Sequence, residues 1–298
     1  MVPWITYADA ITEALRVEMR LDQTVLCLIS ASADEPRPTD QLQREFGASR
    51  VREHDGGPSI LAAAAAAASE GMRPVCELRL GDLSDADAER LAEAARSGAL
   101  VLRLVSGGAT VDAGASGWEG LLEAAPELKI VSPATASDAK GLLISAIRSP
   151  DPVAFVEARE LYTTVCDGVP EGDHIVPLGE ARLITQGDEI VVLAHGSGAV
   201  AAHRAAEGME QDVCLMDLRT LRPLDDVAVL DCVRQLGKVL IVEQPGAQTG
   251  IGAGLIRLID DEAADDLDAP VRELEDADEP RRGLSASVKE ACRELVAF

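Results

Sequence analysis

Aromatic residues are nearly missing from this chain: Trp, Tyr and Phe together make up 2% of its 298 residues. Nucleic-acid recognition by base stacking therefore has little to work with, and Ala, Val and Leu must fill the interior. Lysine is almost as rare, occurring only at Lys129, Lys140, Lys238 and Lys289. The 27 basic side chains face 52 acids, a net charge of -25. Such a surface repels phosphate backbones and excludes DNA or RNA as a partner. It suits a high-salt cytoplasm, where screening removes the self-repulsion. A halophilic source is the preferred reading; a GC-rich genome favouring Ala, Arg and Asp gives the same bias.

Other absences narrow the field further. No C-x-x-C pair occurs among Cys27, Cys76, Cys166, Cys214, Cys232 and Cys292. They read as small buried residues in a reducing compartment, not as a disulfide frame or zinc site. No uncharged apolar run reaches membrane-spanning length, and no signal-like segment opens the chain, so a soluble cytoplasmic protein is expected, with no membrane partner. The P-loop, the G-x-S-x-G elbow and H-E-x-x-H are all missing.

What is present is an alternation of strands and helices. Thr6 to Arg20 has apolar residues at helical spacing behind a Thr6/Asp9 cap, and Thr24 to Ile29 is an apolar run of strand length. Ser30 to Asp40 reads as a loop and Gln41 to Phe46 as a short helix ending at Gly47. The Ala-rich stretch Ser59 to Glu70 predicts a helix buried on every side. Strands at 75–80, 100–105, 129–132 and 153–156 alternate with helices at 82–96, capped by Asp82 or Ser84, and at 137–147. Between Cys166 and Leu178 the composition turns to Gly, Pro, Asp and Glu. The pattern resumes with strands at 189–194, 212–217, 239–243 and 271–274, and helices at 199–207, 225–236, 252–260 and 285–297. This is an α/β protein of two successive parallel-sheet domains, with boundaries at 1–166, a linker at 167–178, and 179–298.

Few residues carry chemistry by themselves. Gly250, Gly252 and Gly254 precede a helix, either as a phosphate site or as close packing. Among the histidines, His54 lies in the 52–58 loop and His174 in the solvated linker. His195 ends a strand at a sheet edge where ligands bind, and His203 lies on an exposed helix face. The acidic tract 260–268 reads as a solvated face.

Longer stretches carry more. DLRTLRPLD (Asp217 to Asp225), GKVLIVEQPGAQTGIGA (Gly237 to Ala253), LKIVSPATASDAKGLLISAIRSPDPVAFVE (Leu128 to Glu157), EGMRPVCEL and YADAITEAL together resemble one family. It is the β subunit of the pyruvate and branched-chain 2-oxoacid dehydrogenase first component, transketolase-like and dependent on thiamine diphosphate. The resemblance covers nearly the whole chain. It implies a pyrimidine-binding domain followed by a transketolase C-terminal domain. It further implies an α-type partner subunit holding the diphosphate and its Mg²⁺, a second copy of the chain, and oxidative decarboxylation of a 2-oxoacid.

In that family a Glu in a T-P-I-S-E segment presses on the pyrimidine ring and promotes removal of the thiazolium proton. Counting back from Arg73 places that Glu at Gly57; counting forward from Arg50 places it at Pro58. Asp55, or Glu53 beside it, is the nearest substitute acid. The aromatic residues facing the pyrimidine correspond to Gly81 and Leu83, the H-S-Q motif to Gly114 to Ser116, and a further Glu to Ser30. A structural potassium ion would be held by main-chain carbonyls at Val101, Ala146, Ile147, Ser149 and Asp151. Three readings follow: a working decarboxylase subunit, a catalytically degenerate scaffold or regulatory paralogue, or a module binding an anionic metabolite at Arg219, Arg222 or the Gly250 turn.

Overall fold

The computed structural model describes residues 2–31, 38–79, 83–106, 122–243, 251–274 and 283–298. These divide into two units, Met1–Leu178 and Gly179–Phe298.

In the first unit, β1 (Trp4–Thr6) leads straight into α1 (Tyr7–Leu21). Thr6 caps the helix: its Oγ accepts from the Asp9 N–H at 3.1 Å and donates to the Asp9 carboxylate at 2.7 Å. Tyr7, Ala10, Ile11, Ala14 and Leu15 form the stripe that α1 buries,. The apolar run of β2 (Val25–Ser30) is buried throughout. After α2 (Asp40–Phe46), Gly47 takes a positive φ of 76° and turns the chain into β3 (Val51–His54). Then come α3 (Gly57–Ser69), β4 (Arg73–Arg79), α4 (Ala88–Arg96) and β5 (Val101–Ser106). β6 (Lys129–Val131), α5 (Ala136–Arg148), β7 (Val153–Ala158), the short α6 (Leu161–Thr164) and β8 (Cys166–Gly168) complete the unit. β8 pairs antiparallel with β1. The other strands form a parallel array in the order β6-β7-β5-β4-β2-β3. The chain leaves β2 for β3 on one side and returns to β4 on the other. The carboxyl ends of β2 and β4, on either side of that reversal, are where ligands bind in sheets of this kind,.

The second unit holds β9 (Arg182–Thr185), β10 (Ile190–Ala194), α7 (Gly196–Ala206), β11 (Val213–Asp217), β12 (Thr220–Arg222) and α8 (Asp226–Leu236). It closes with β13 (Val239–Val242), α9 (Ile251–Glu262), β14 (Arg272–Leu274) and α10 (Leu284–Val296). Its sheet runs β14-β13-β10-β11-β9, with β9 antiparallel to β11 and the other pairs parallel. Asp225 caps α8 by accepting from the Ala228 N–H, and Gly237 ends it in the left-handed conformation,.

Four expectations need correction. His54 ends strand β3 instead of lying in a loop. The poly-alanine helix α3 buries Ile60, Leu61, Ala64 and Ala68 but exposes Ala62 and Ala66, so it is covered on one side only. The fourth helix begins at Ala88, and Asp87 accepts from Ser84 N–H and Oγ, so the capping role assigned to Ser84 does not hold, while Asp82 lies outside the described residues. The 167–178 segment lies along α5: Lys140 Nζ donates to the Pro170 carbonyl, Ser145 Oγ to that of Val176, and His174 Nε2 sits 3.0 Å from Ser137 Oγ.

Candidate functional site

Three chain segments converge on the open edge of the first sheet. β2 ends at Ser30, which is paired with His54 at the end of β3. The Ala31 N–H donates to the His54 carbonyl at 2.9 Å and the Gly56 N–H to the same oxygen at 3.0 Å. Gly56, at φ 84°, reverses the chain so that α3 starts at Gly57 with Pro58 in its first turn,. Gly57 is buried, whereas Glu53, Asp55 and Pro58 are exposed. Glu53 accepts from Gln43 Nε2. Neither Asp55 nor Glu53 therefore presents a buried carboxylate at the start of α3. The His54 ring rests against that first turn, with Nδ1 3.4 Å from Ser59 Oγ. Its Nε2 is buried without a hydrogen-bond partner.

A charged layer lies beneath this edge. Glu77 on β4, Arg103 on β5 and Glu157 on β7 project from neighbouring strands. Arg103 Nε and Nη2 donate to the two Glu157 oxygens at 2.6 and 2.9 Å, and Nη1 donates to Glu77 at 2.9 Å. Tyr162 donates to Glu157 at 2.6 Å, and Thr39 Oγ to Glu77 at 3.2 Å. Arg103 and Glu157 are both 0% exposed. Burial alone lowers the pKa of Arg103, but the facing carboxylates of Glu157 and Glu77 outweigh it and hold the guanidinium well above its ordinary value,. Burial, then Glu157, pushes the Tyr162 hydroxyl well up as well. Sequence reasoning missed this network. Its signal was a charge inside each of three apolar strands, VCELR, VLRLV and VAFVE. Of the remaining positions, Leu83 is buried, while Gly81 and Gly114 to Ser116 lie outside the described residues.

At the turn after α5, the carbonyls of Ile147 and Ser149 already accept from Arg73 Nη1, at 2.8 and 2.9 Å. Lys129 Nζ lies 2.8 Å from the Asp151 carboxylate. Ala146 closes the helix by accepting from the Ser149 N–H, and Val101 is buried at the start of β5. Two cationic side chains thus stand on the turn expected to hold potassium.

In the second unit, His195 follows β10 as the residue before α7 and is buried, which pushes its pKa down to about 4 and keeps the ring neutral,. Asp217 accepts from the Arg219 N–H and lies 3.6 Å from Arg182 Nη2. Glu243 accepts from the Gly252 N–H at the start of α9, while Gly250 lies outside the described residues. His203 is half-buried on α7. Among the described residues no cluster of His, Cys, Asp and Glu has the arrangement of a metal site, the 260–268 tract included. Among the described residues no helix is long and apolar enough to cross a membrane.

Comparison with known proteins gives this geometry its family. Residues 4–164 match the model of the transketolase pyrimidine binding domain, and residues 179–292 that of the transketolase C-terminal domain. The chain is 34% identical to the pyruvate dehydrogenase E1 component subunit beta of Staphylococcus aureus, over 92% of this chain and 90% of that one. It is 33% identical to the 2-oxoisovalerate dehydrogenase subunit beta of Bacillus subtilis, over 99% of both. Among solved structures it resembles a split-gene transketolase described as an inactive beta4 tetramer, with a TM-score of 0.77, 18% identity and 98% of each chain covered. That likeness speaks for the fold alone. The chain belongs to the family of 2-oxoacid dehydrogenase E1 β subunits.

Proposed function

We propose that the chain is the β-type subunit of a thiamine-diphosphate-dependent 2-oxoacid dehydrogenase, paired with an α-type subunit and acting on pyruvate or a branched-chain 2-oxoacid. The observation that carries this is the end-to-end match of both units to β subunits of that description. The chain has no G-D-G diphosphate motif of its own, so the diphosphate and its Mg²⁺ belong to the partner. The coenzyme, when bound, would supply a nucleophilic carbon for the chemistry at the 2-oxoacid carbonyl. This chain's part is to enclose the pyrimidine at the carboxyl ends of β2 and β4, beside the start of α3. The buried Glu77–Arg103–Glu157 layer keeps the supporting strands in register beneath it.

Gly57 at the start of α3 limits the rate. Without a carboxyl group there, proton transfer at the pyrimidine lacks a positioned acid, and such groups are worth roughly 10²- to 10⁴-fold. Turnover is therefore slow. The same observation favours a second reading, a catalytically silent paralogue that keeps the fold and the α-subunit interface. Potassium is left out of the proposal, because Arg73 already takes the Ile147 and Ser149 carbonyls. Six free cysteines and the net charge of -25 suit a reducing, high-salt cytoplasm,.

Co-expression with an α-type subunit tests the assignment. The two chains should co-elute and release carbon dioxide from pyruvate or 2-oxoisovalerate slowly, dependent on thiamine diphosphate. Assembly without any turnover selects the silent paralogue. A chain that associates with neither an α-type subunit nor itself contradicts both readings.

A further inference from the structure

Spacing in the sequence pairs none of the six cysteines, but the fold of the second unit brings two of them together. Cys214 lies on β11 and Cys232 on α8, 18 positions further on. The Cys214 thiol donates to the Cys232 sulfur at 4.0 Å. The two sulfurs are thus in contact, and a disulfide needs them to close to about 2.05 Å. They differ in access: Cys214 is buried and Cys232 half-buried. A small oxidant therefore meets Cys232 first. Burial, with Cys232 adding to it, pushes the Cys214 thiol up to about 12, so Cys214 stays protonated until its neighbour has reacted. The other four cysteines differ from this pair: Cys27, Cys76 and Cys292 are buried, and Cys166 is exposed on β8.

We propose that Cys214 and Cys232 form a reversible oxidation site, closed by hydrogen peroxide to a disulfide that ties β11 to α8. Cys232 Sγ, as the thiolate, attacks one peroxide oxygen. The O–O bond breaks, the departing hydroxide takes up the thiol proton as water, and Cys232 becomes a sulfenic acid. Cys214 Sγ then attacks that sulfur, rotation about the side-chain torsions bringing the pair together. The S–S bond forms, the S–O bond breaks, and the Cys214 proton leaves with the hydroxyl as a second water. Two thiols lose two electrons in all, and the peroxide gains them. A dithiol reductant reverses the bond by exchange. Because the bond closes a loop of about 18 residues, it restricts the unfolded chain and makes the oxidised unit the more stable form. The proposal is independent of the subunit reading above.

The test is peroxide treatment of the folded full-length chain, then alkylation and tryptic mapping without reductant, for wild type, Cys232→Ser and Cys166→Ser. Cleavage at Arg219 separates the two cysteines, while Pro223 protects Arg222. Peptides 205–219 and 220–234 should therefore appear linked in wild type and in Cys166→Ser. The link should raise the melting temperature by at least about 3 °C, and dithiothreitol should remove both the link and the rise. Cys232→Ser should show neither. Two thiols that stay open to alkylation after peroxide overturn the proposal, and so does a sulfinic acid at Cys232 with no link. A link that forms only in urea also overturns it, because the fold would then not hold the pair ready. A link that lowers the melting temperature does the same, since the bond would strain the unit it is meant to tie.

Discussion

Replacing Gly57 by Glu should raise turnover of the reconstituted complex. Gly57 is the first residue of α3 and, unlike Gly56, has no positive φ, so a side chain fits its backbone. Exchanging Gly for Glu in a helix gains up to about 1 kcal/mol of propensity. A carboxylate in the first turn adds about 0.3–1 kcal/mol through the helix dipole. The site is buried, and partial desolvation of the new carboxyl opposes both gains while raising its pKa, which favours service as an acid. The fold should therefore tolerate the change, with a melting temperature close to wild type. Positioned acid–base groups contribute about 10²- to 10⁴-fold, equivalent to about 3–5 kcal/mol of barrier at about 1.36 kcal/mol per tenfold. Steady-state carbon dioxide release from pyruvate and 2-oxoisovalerate, at saturating thiamine diphosphate, reads the effect in kcat. A folded Gly57→Glu complex that binds the coenzyme yet turns over within threefold of wild type would refute the reasoning.

Further predictions concern stability. Arg103→Leu leaves Glu77 and Glu157 buried with no cation between them and should cost about 3–5 kcal/mol; urea unfolding giving less than about 1 kcal/mol would contradict the role of the network. Arg73 already satisfies the turn after α5, so melting temperatures in equal concentrations of potassium and sodium should agree. A clear rise in potassium alone would show that the ion is needed after all. His195 is buried neutral, with a folded pKa of about 4 against an ordinary 6.5. The unfolded chain therefore binds the extra proton first: stability is complete above pH 6.5 and falls as pH drops towards 4. The loss from this residue is about 3 kcal/mol. The stability difference between wild type and His195→Gln should fall by about 3 kcal/mol as pH drops across that window, and identical pH dependence of the two proteins would refute the assignment.

The sequence made most of the scaffold legible because parallel strands covered on both faces are written as unbroken apolar runs. VLCLIS, IVVLA and VLIV all became fully buried strands,. The Thr6/Asp9 cap was legible for a similar reason, since it is local chemistry at fixed spacing. Strand β3 escaped because Val51-Arg52-Glu53-His54 has a single apolar residue. It forms at the sheet edge, held by backbone pairing to β2, which no side-chain period reports. Exposure of Ala62 and Ala66 was equally hidden, because an alanine helix shows no polar face to mark its outside. At the site, counting residues from either side places the expected carboxylate at Gly57 or Pro58, neither of them an acid. The Glu77–Arg103–Glu157 layer could not be read in this way, because its members are far apart in the chain and meet only through strand register. Nor could the burial of His54 Nε2, which depends on the angle at which α3 leaves Gly56.

The most direct test is the rate at which the thiazolium proton of thiamine diphosphate exchanges with deuterium in the wild-type complex, followed by quenched-flow NMR beside the Gly57→Glu complex. With no acid at the start of α3, exchange in the wild type should be at least about a hundredfold slower than in the variant. Equal and rapid exchange in the two complexes would contradict it, because an acid from elsewhere would then already be in place.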